Sequence, residues 1–475
     1  MHRTSLVWFR NDLRLFDNVT LHEAVQKSEQ VYPVYCFDPR QFTETEIGEC
    51  KTGSYYAQFL IESIADLRQQ LLALGSDLII RQGIPENVIT QLAREMNATT
   101  VFASKEVTSE ETVAEAALER NLNARGIELC LEWQSTLFHI DDIPWPIKNV
   151  PDIFSQFRKE AERSVEVRPV VPSPSRLVTP LEDVCVGEIP TLDDLGLVSP
   201  TYDPRAVLKY QGGETAGTER LHAYLWERDQ LRHYKETRNG LLGADYSTKF
   251  SAWLANGALS PRVIYQEVRR YESERIKNKS TYWLIFELLW RDYFRFIAKK
   301  YGDRIFQPAG IRQEDPYLRD DWGAFEKWKT GNTGVPFIDA NMREINATGF
   351  MSNRGRQNVA SFLIKDLKVN WTWGASYFES KLIDYDVCSN WCNWNYVAGV
   401  GNDPRDNRYF NIMSQAQRYD PQGDYVRHWI PELSHVEGKR VHYPTEIPAE
   451  ELEALGVVIG EDYPRPLVGF NKWLY

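Results

Sequence analysis

The segment 383–396, IDYDVCSNWCNWNY, gathers carboxylates, amides and indoles in a short stretch of the chain. On a helix, Asp386, Asn390 and Trp394 recur at every fourth position and therefore share one face. Such a face can offer hydrogen-bonding groups to a polar heterocycle, with an indole just beyond it. A helix that packs in a protein core should not carry so many polar groups. We therefore expect the partner of this face to be a cofactor.

A carboxylate and an indole also lie close together in FELLWRDYF. Glu287 and Arg291 are four residues apart on a predicted helix and could form a simple ion pair. Trp290 lies on nearly the same side, where its ring could stack on a base while a polar group meets the base edge. The segment is typical of a pyrimidine pocket, and equally of a core tryptophan beside a surface glutamate.

Basic and amide side chains cluster in NRGRQN, which contains Asn353, Arg354, Arg356 and Gln357. A guanidinium remains charged, so one that lies inside a mainly apolar domain requires a carboxylate partner. Asp384 is the candidate for this ion pair.

Two further segments predict helix starts. In GADYSTKFSAWLANG, Ser247 or Thr248 precedes a helical pattern, where the hydroxyl could cap the helix and the free amides of the first turn would favour an anion. In KEVTSEE, Thr108 or Ser109 predicts an ordinary N-cap followed by acidic residues in the first turn.

The elements that must position these residues follow from hydrophobic periodicity. Apolar runs predict strands over 4–10, 31–37, 77–83, 99–105 and 127–133, with amphipathic helices between them. This alternation predicts an N-terminal α/β domain over 1–135 with a doubly wound parallel sheet. A proline-rich interdomain linker over 136–204 and an all-α domain over 205–475 complete the predicted architecture. The first strand is not followed by GxGxxG, so the sheet need not bind a dinucleotide.

Composition narrows the function classes. The chain has 475 residues, of which 15 are Trp, and a net charge of -12. That charge argues against a polycation that coats nucleic acid, but it leaves room for a local basic patch. The six Cys form no CxxC pair and no zinc-ligand spacing, so we expect free thiols and no metal. We expect a cytoplasmic protein, because the sequence contains neither a signal-peptide pattern nor an apolar run of membrane-spanning length.

Several long motifs resemble the photolyase and cryptochrome family. They include VWFRNDLRLFDN, YSTKFSAWLANGALSPR, ELLWRDYFRF and LIDYDVCSNWCNWNYVAGVGNDPRDNRYFNI. The segments NRGRQN, NWNYVAGVGNDPR and RYDPQGDYVRHWIPEL resemble the DASH cryptochromes in particular. The resemblance covers nearly the whole chain and implies that the helical domain binds FAD.

The resemblance implies a particular set of FAD contacts. Asn390 matches the residue that faces the central ring nitrogen of the flavin, where a neutral amide favours a fully reduced, catalytic flavin. Residues 248–251 match the segment that holds the diphosphate. The implied cofactor contacts are Tyr234, Thr248, Lys249, Phe250, Ser251, Glu287, Arg291, Asn353, Arg356, Asp384, Asp386 and Asn390.

An electron relay of tryptophans is also implied. Trp394 and Trp371 match its inner two members, whereas the position of the outer member holds Leu318, which cannot carry an electron hole. Trp322, one helical turn further along, is the predicted replacement, and Tyr317 or another exit is the alternative. We interpret Trp328 and Trp373 as core residues.

The implied DNA contacts surround the same site. Glu287 would meet the carbonyl edge of a lesion on which Trp290 stacks, and Glu287, Asn353 and Asn390 form the predicted catalytic set. Arg238 and Arg354 would bind phosphate. Gln357 and Tyr396 stand where duplex photolyases of one class carry methionine and tryptophan. The predicted DNA contacts are therefore Arg238, Trp290, Arg354, Gln357 and Tyr396. Loss of the second stacking ring should weaken capture of a flipped dimer.

In the α/β domain, FASKEVTSEE resembles an antenna-binding loop. Lys105 and Glu106 would then contact the pterin ring of 5,10-methenyltetrahydrofolate.

The activity implied by the resemblance is light-driven repair. Excited, reduced FAD would pass an electron to a cyclobutane pyrimidine dimer in single-stranded or looped DNA, and we expect a monomer. A duplex photolyase is an alternative that Tyr396 and Gln357 disfavour, and a (6-4) photolyase should bring histidine into MSNRGRQNV. A light receptor or transcriptional regulator is the alternative outside the enzyme class. The short C-terminal end, GFNKWLY, predicts no signalling tail for it.

Overall fold

The computed structural model describes residues 3–182, 184–405 and 408–473. Its N-terminal part is a five-stranded parallel sheet with helices on both faces. The strands are β1 (Thr4–Phe9), β2 (Gln30–Phe37), β3 (Ile79–Gln82), β4 (Thr100–Ser104) and β5 (Glu128–Glu132), in the order β3-β2-β1-β4-β5. The helices between them are α1 (Val19–Lys27), α2 (Ser54–Ala73), α3 (Pro85–Glu95) and α4 (Ser109–Asn123). The predicted doubly wound α/β fold is confirmed.

The central strand explains why this sheet forms. All six residues of β1 are buried, which is the continuous apolar pattern of a parallel strand covered on both faces. Leu6 and Trp8 face one core cluster, and Val7 and Phe9 face the other. Strand β1 pairs with β2 on one side and β4 on the other, so the chain reverses its winding direction at β1.

The chain is helical after the sheet. The predicted linker contains α5 (Phe154–Ser164), whose Phe154, Phe157 and Ala161 are buried. The following helices are α6 (Glu214–His222), α7 (Tyr234–Thr237), α8 (Ser251–Ala255), α9 (Pro261–Glu274), α10 (Lys279–Tyr301), α11 (Trp322–Lys329), α12 (Pro336–Thr348), α13 (Asn353–Ser361), α14 (Trp371–Lys381), α15 (Val387–Ala398), α16 (Ile412–Tyr419), α17 (Asp424–Trp429) and α18 (Ala449–Ala454). Of these, α10 is the longest and is buried along most of its length.

The segments 165–182 and 184–190 run alongside the sheet rather than free in solvent. Their backbone carbonyls at Val178 and Val186 accept hydrogen bonds from Val31 and Ile80 at 3.0 and 2.7 Å. Proline-rich sequence without a helix is therefore still tied to the α/β part by backbone hydrogen bonds.

Buried polar contacts join the sheet region to the helices. Arg262 of α9 pairs with the fully buried Asp17 at 2.6 Å. Arg295 of α10 pairs with Glu106, just after β4, also at 2.6 Å. Gly257 has a φ of +71°, and a Cβ there would lie 2.0 Å from the carbonyl oxygen of Asn11, so the close approach of the two parts requires glycine.

Three global features bear on function. None of the helices in the described residues is long and apolar enough to cross a membrane. All six cysteines are free thiols, with Cys388 and Cys392 buried in α15. The described part of the chain contains no group of three or more His, Cys, Asp or Glu that could hold a metal ion.

Candidate cofactor and nucleic-acid site

A cavity of about 700 Å³ opens among α10, α13, α15 and the loop before α8. All twelve predicted cofactor contacts line it, as do the five predicted DNA contacts and Trp394. We call the part of its lining formed by Arg356, Asp384, Asp386 and Asn390 the inner wall; Asp384 and Asn390 are buried, and the Arg356 side chain is 25% exposed. The part formed by Arg354, Gln357, Tyr396 and Arg408, all of them partly buried, is the outer wall. Segments that lie far apart in the chain thus contribute to one site.

The inner wall contains the predicted ion pair. Nη2 of Arg356 lies 2.9 Å from both carboxylate oxygens of Asp384, and the Asp384 side chain is 2% exposed. Arg356 also donates from Nε to the carbonyl of Met351 at 2.9 Å. The guanidinium is therefore fixed against a wall of the cavity with its charge neutralised.

Asp386 has a second role that its spacing did not reveal. It is the N-cap of α15, which begins at Val387, and its Oδ1 accepts from the Ser389 amide at 2.7 Å. Its Oδ2 accepts from Arg295 at 3.2 Å. Burial disfavours the carboxylate, but Arg295 and Arg291 outweigh it and hold the pKa of Asp386 below its usual value. Asp386, Asn390 and Trp394 all line the cavity, as their spacing predicted, with Asp386 as the N-cap rather than the first helical residue.

The side-chain amide of Asn390, in the middle of the 383–396 segment, is held by a hydrogen bond from its nitrogen. Asn390 is 8% exposed and donates from Nδ2 to the carbonyl of Ala375 at 3.0 Å. Its Oδ1 is left as the acceptor for a ligand N–H in the cavity. Trp394 lies one turn further along α15, against Phe378 at 5.1 Å and Trp328 at 6.2 Å between ring centroids.

Glu287 and Arg291 do not pair with each other. Glu287 pairs instead with Arg238 at 2.8 Å, which gives the predicted phosphate ligand a carboxylate partner. Arg291 donates to the carbonyls of Ser135 and Leu254. Burial raises the pKa of the Glu287 carboxyl, and Arg238 opposes that shift without cancelling it.

The Trp290 ring is held by an aromatic residue from the predicted linker. Phe154 of α5 stacks on it with centroids 3.6 Å apart and an interplanar angle of 14°. Tyr396 meets the same indole edge-on at 5.9 Å. Trp290 is therefore a rigid part of the cavity wall rather than a free surface ring.

The segment 247–251 differs from its prediction. Helix α8 begins at Ser251, and its N-cap is Phe250, so neither Ser247 nor Thr248 caps it. Lys249 has a φ of 63° and is 3% exposed. Its Nζ lies 3.0 Å from the ring centroid of Tyr246 and 4.8 Å from that of Phe350. Burial lowers the pKa of the Lys249 amine well below its ordinary value.

Polar atoms in the cavity wall fit an anionic, hydrogen-bonding cofactor. Within the described residues, Tyr246 OH and Lys249 Nζ of this wall are buried without a hydrogen-bond partner. Buried polar groups of native proteins are normally paired. A dinucleotide with a diphosphate and a polar ring system would supply the missing partners, so the residues present fit FAD.

The two arginines of the outer wall have partners of different kinds. Arg354 donates to Gln357 at 2.8 Å and to Asn239 at 3.2 Å, and its guanidinium lies over Tyr419. Burial, together with repulsion from nearby arginines, lowers the pKa of Arg354. Arg408 lies over the Tyr396 ring at 4.8 Å and pairs with Asp403.

Other predicted site residues lie away from this cavity. Glu106 is 3% exposed, and its Oε2 accepts from Arg295 at 2.6 Å. Lys105 pairs with Glu115 of α4. Helix α4 begins with Thr108 as its N-cap residue, but the Thr108 hydroxyl donates to Glu111 instead of accepting from a backbone amide. Glu106 thus lies where the α/β part meets α10.

Two tryptophans of the predicted relay, Trp371 and Trp322, differ in burial and in the geometry of their contact with a neighbouring ring. Trp371 is fully buried and meets Trp391 edge-on at 5.9 Å. Trp322 is 49% exposed and stacks on Trp373 at 3.9 Å and 21°. Trp328 is fully buried, as predicted, but Trp373 is half-buried, so its interpretation as a core residue is corrected.

Phe154 and Arg295 were not predicted as site residues. Phe154 lies in a stretch whose prolines suggested a linker, and its pairing with Trp290 joins residues far apart in the chain. Arg295 lies eight residues after Glu287 on α10, and the charge of WRDYFRF was the signal available for it.

Comparisons with known proteins agree with this geometry. Residues 5–175 match the family described as DNA photolyase, and residues 283–473 match the FAD binding domain of DNA photolyase. A cryptochrome DASH from Gloeobacter violaceus is 56% identical, over 98% of this chain and 93% of that protein. The crystal structure of a Synechocystis cryptochrome is similar with a TM-score of 0.97 and 52% identity, over 99% of this chain and 98% of that one. A class III photolyase from Agrobacterium tumefaciens has a TM-score of 0.85 at 28% identity, over 99% and 95% of the two chains.

Proposed function

The chain belongs to the cryptochrome DASH branch of the photolyase and cryptochrome family, and on that premise we propose that it repairs cyclobutane pyrimidine dimers with light, preferentially in single-stranded or looped DNA. The observation that supports this most directly is one cavity lined by every predicted cofactor contact and every predicted DNA contact. The similar Agrobacterium protein is described as a photolyase, which makes dimer repair the first activity to test.

FAD in the cavity would supply the excited-state electron that splits the dimer. The chain's own residues would bind the cofactor and the substrate and hold them in orientation. Arg356 and Asp384 form a neutral pair at the inner wall, and Asn390 presents Oδ1 to a ring N–H. Lys249, surrounded by aromatic rings, would bind a phosphate of the cofactor, and a neighbouring anion would restore the proton that burial disfavours.

Glu287 and Trp290 are the proposed substrate contacts. Phe154 keeps the Trp290 ring in one orientation for stacking on a base. Glu287 would stabilise by hydrogen bonding the carbonyl edge of a dimer that has gained an electron; burial raises the pKa of its carboxyl, and Arg238 opposes that shift. Arg238 is then a positioning residue for Glu287 as well as a candidate phosphate ligand.

The preference for single strands rests on Tyr396. Its ring meets Trp290 edge-on and is covered by Arg408, so it does not form a second indole platform facing Trp290. Extrusion of a dimer from a duplex costs a few kcal/mol, on the order of one good base stack. A pocket with one indole therefore favours substrates that are already unpaired.

The test is light-dependent loss of dimers from matched single-stranded and duplex oligonucleotides. We expect repair of the single strand to exceed repair of the duplex, and equal rates would contradict the strand preference.

Glu287→Gln should lower the repair yield while FAD absorption is retained, whereas an unchanged yield would contradict its role. Flavin binding without repair of either strand would favour the light-receptor alternative.

For an antenna, Lys105 and Glu106 remain the proposed contacts of methenyltetrahydrofolate. Glu106 already pairs with Arg295, so a bound pterin would share that carboxylate with α10. Purified protein should then show a near-ultraviolet absorption in addition to FAD, and Glu106→Gln should remove it.

For the electron relay, we propose an exit through the Trp373–Trp322 stack, because these rings are in face-to-face contact and Trp322 reaches the surface. Trp322→Phe should slow the photoreduction of oxidised FAD by an external reductant, since a phenyl ring is much harder to oxidise than an indole. Phenylalanine keeps an aromatic ring in the stack, so an unchanged rate would exclude Trp322 as the exit.

A further inference from the structure

A second aromatic path begins at the same cavity. Tyr385 lies between the two aspartates of the inner wall in the sequence and lines the cavity. Nε1 of Trp391 donates to the Tyr385 hydroxyl at 3.2 Å. The Trp391 ring in turn meets Trp371 at 5.9 Å and an interplanar angle of 72°. Three oxidisable rings thus follow one another from the cavity into the core.

A carboxyl group lies beside the phenol at the start of this path. The Glu379 carboxyl of α14 lies close to both the Tyr385 hydroxyl and the Trp391 indole, and both neighbours favour its ionised form. Its side chain is 11% exposed, and Lys51 lies 3.9 Å from its Oε1. Lys51 also pairs with the exposed Glu110. The groups from Tyr385 to Glu110 therefore connect the cavity wall to solvent.

This arrangement suits proton-coupled oxidation. A phenol that loses an electron becomes strongly acidic, and a buried cation is costly, so the proton has to leave towards a nearby base. Burial raises the pKa of Glu379 to about 7, which places its carboxyl in the range of a useful general base at neutral pH. The same burial raises the pKa of the Tyr385 phenol, so the ring stays protonated until it is oxidised.

We propose that Tyr385 is a second electron donor to light-excited, oxidised FAD and that Glu379 receives its phenolic proton. The inference rests on the proposed binding of FAD. One electron passes from Tyr385 to the flavin, the phenolic O–H bond breaks, and the proton moves to Glu379. The products on the protein are a neutral tyrosyl radical and a neutral carboxylic acid.

From the Tyr385 radical, the electron hole can move to Trp391 and then to Trp371. When Trp391 returns an electron to the tyrosyl radical, Glu379 returns the proton, and the hole then lies on Trp391 next to Trp371. This branch reaches Trp371 without the outer position, where the chain has Leu318. The charged and titratable groups that face its two acidic members are Lys51, Glu110 and Glu111.

The test uses FAD-loaded protein in the oxidised state, illuminated and freeze-trapped for electron paramagnetic resonance. A tyrosyl signal that narrows with ring-deuterated tyrosine is expected in the wild type. It should be lost in Tyr385→Phe and kept in Tyr202→Phe, a matched change at an exposed tyrosine. A full signal in Tyr385→Phe, or none in the wild type, would overturn the inference. Absent flavin absorption would instead contradict the proposed function.

Glu379→Gln provides an independent measurement if Tyr385→Phe loses FAD. In the wild type, radical formation should slow in deuterated water and at pH values well below the pKa of Glu379, because the proton acceptor is then already protonated. Glu379→Gln should lose both dependences. An isotope effect that survives in Glu379→Gln would overturn the assignment of Glu379 as the base that receives the proton.

Discussion

Charged side chains on the inner and outer walls of the cavity have different kinds of partner. On the inner wall, Asp384 and Asp386 each have an arginine partner, supplied by α13 and α10. On the outer wall, Arg408 pairs with Asp403, but Arg354 has amide and aromatic partners, and its positive charge is not neutralised by them. A buried carboxylate such as Asp384 needs a partner within the fold, whereas a partly exposed cation can remain unpaired until a ligand binds. The inner wall therefore fits a permanent cofactor, and the outer wall fits a polyanion that binds and dissociates.

The largest expected effect comes from breaking the inner pair. Arg356→Met leaves Asp384 buried without its guanidinium, which should lower the free energy of unfolding by about 3–5 kcal/mol and release FAD. Chemical denaturation and flavin absorption after gel filtration measure the two effects. Arg440→Met breaks the exposed Arg440–Glu451 pair and is the control, for which we expect a much smaller change. Comparable losses in both variants would mean that the burial of Asp384 adds nothing to the contribution of its ion pair.

The pairing partner on the inner wall was predicted from the sequence, but the partner of Glu287 was not. Asp384 was the candidate for Arg356 because a guanidinium inside an apolar helical domain requires a carboxylate. Glu287 was instead placed near Arg291 by helical spacing, and its real partner, Arg238, comes from outside α10. Helical spacing reports neighbours along one element, and it carries no information on which elements meet.

The prediction of the fold has the same limit, because a sequence pattern locates an element but not the elements that pack against it. Periodicity located the strands of the α/β part to within a few residues, because each is defined by its own apolar pattern. It did not find α5, whose Phe154 and Phe157 are buried by helices from later in the chain. Proline content marks where regular structure stops, but not which short segment between prolines docks on the core.

A second prediction concerns an inner carboxyl that lacks an arginine partner. Glu344 is buried next to Lys249, with Tyr425 donating to its Oε2 at 2.6 Å. Burial raises the pKa of Glu344 to about 7, although Tyr425, Lys249 and Arg356 oppose this shift. The folded apoprotein thus holds a proton that the unfolded chain releases near pH 4.5. Its free energy of unfolding should fall by about 2–3 kcal/mol as the pH rises from about 5 to about 8.

Glu344→Gln should remove this contribution to the pH dependence. The amide oxygen still accepts from Tyr425, and the side chain no longer titrates. Denaturation curves of the apoprotein at several pH values measure the slope, with the wild type as reference. An identical slope in both proteins would mean that Glu344 is ionised in the fold.

The smallest expected effect lies on the outer wall. Arg354→Gln removes one cation from a surface that we propose to bind the phosphates of single-stranded DNA, while its side chain can still reach Asn239. The slope of log Kobs against log salt concentration should fall by about 0.7, the value for one phosphate contact on a single strand. Flavin content and the free energy of unfolding should change little, because the guanidinium has neutral partners. Arg440→Gln, away from the cavity, should leave the slope unchanged. If Arg354→Gln lost FAD instead, Arg354 would belong to the inner wall, and the division of the cavity by charge would have to be redrawn.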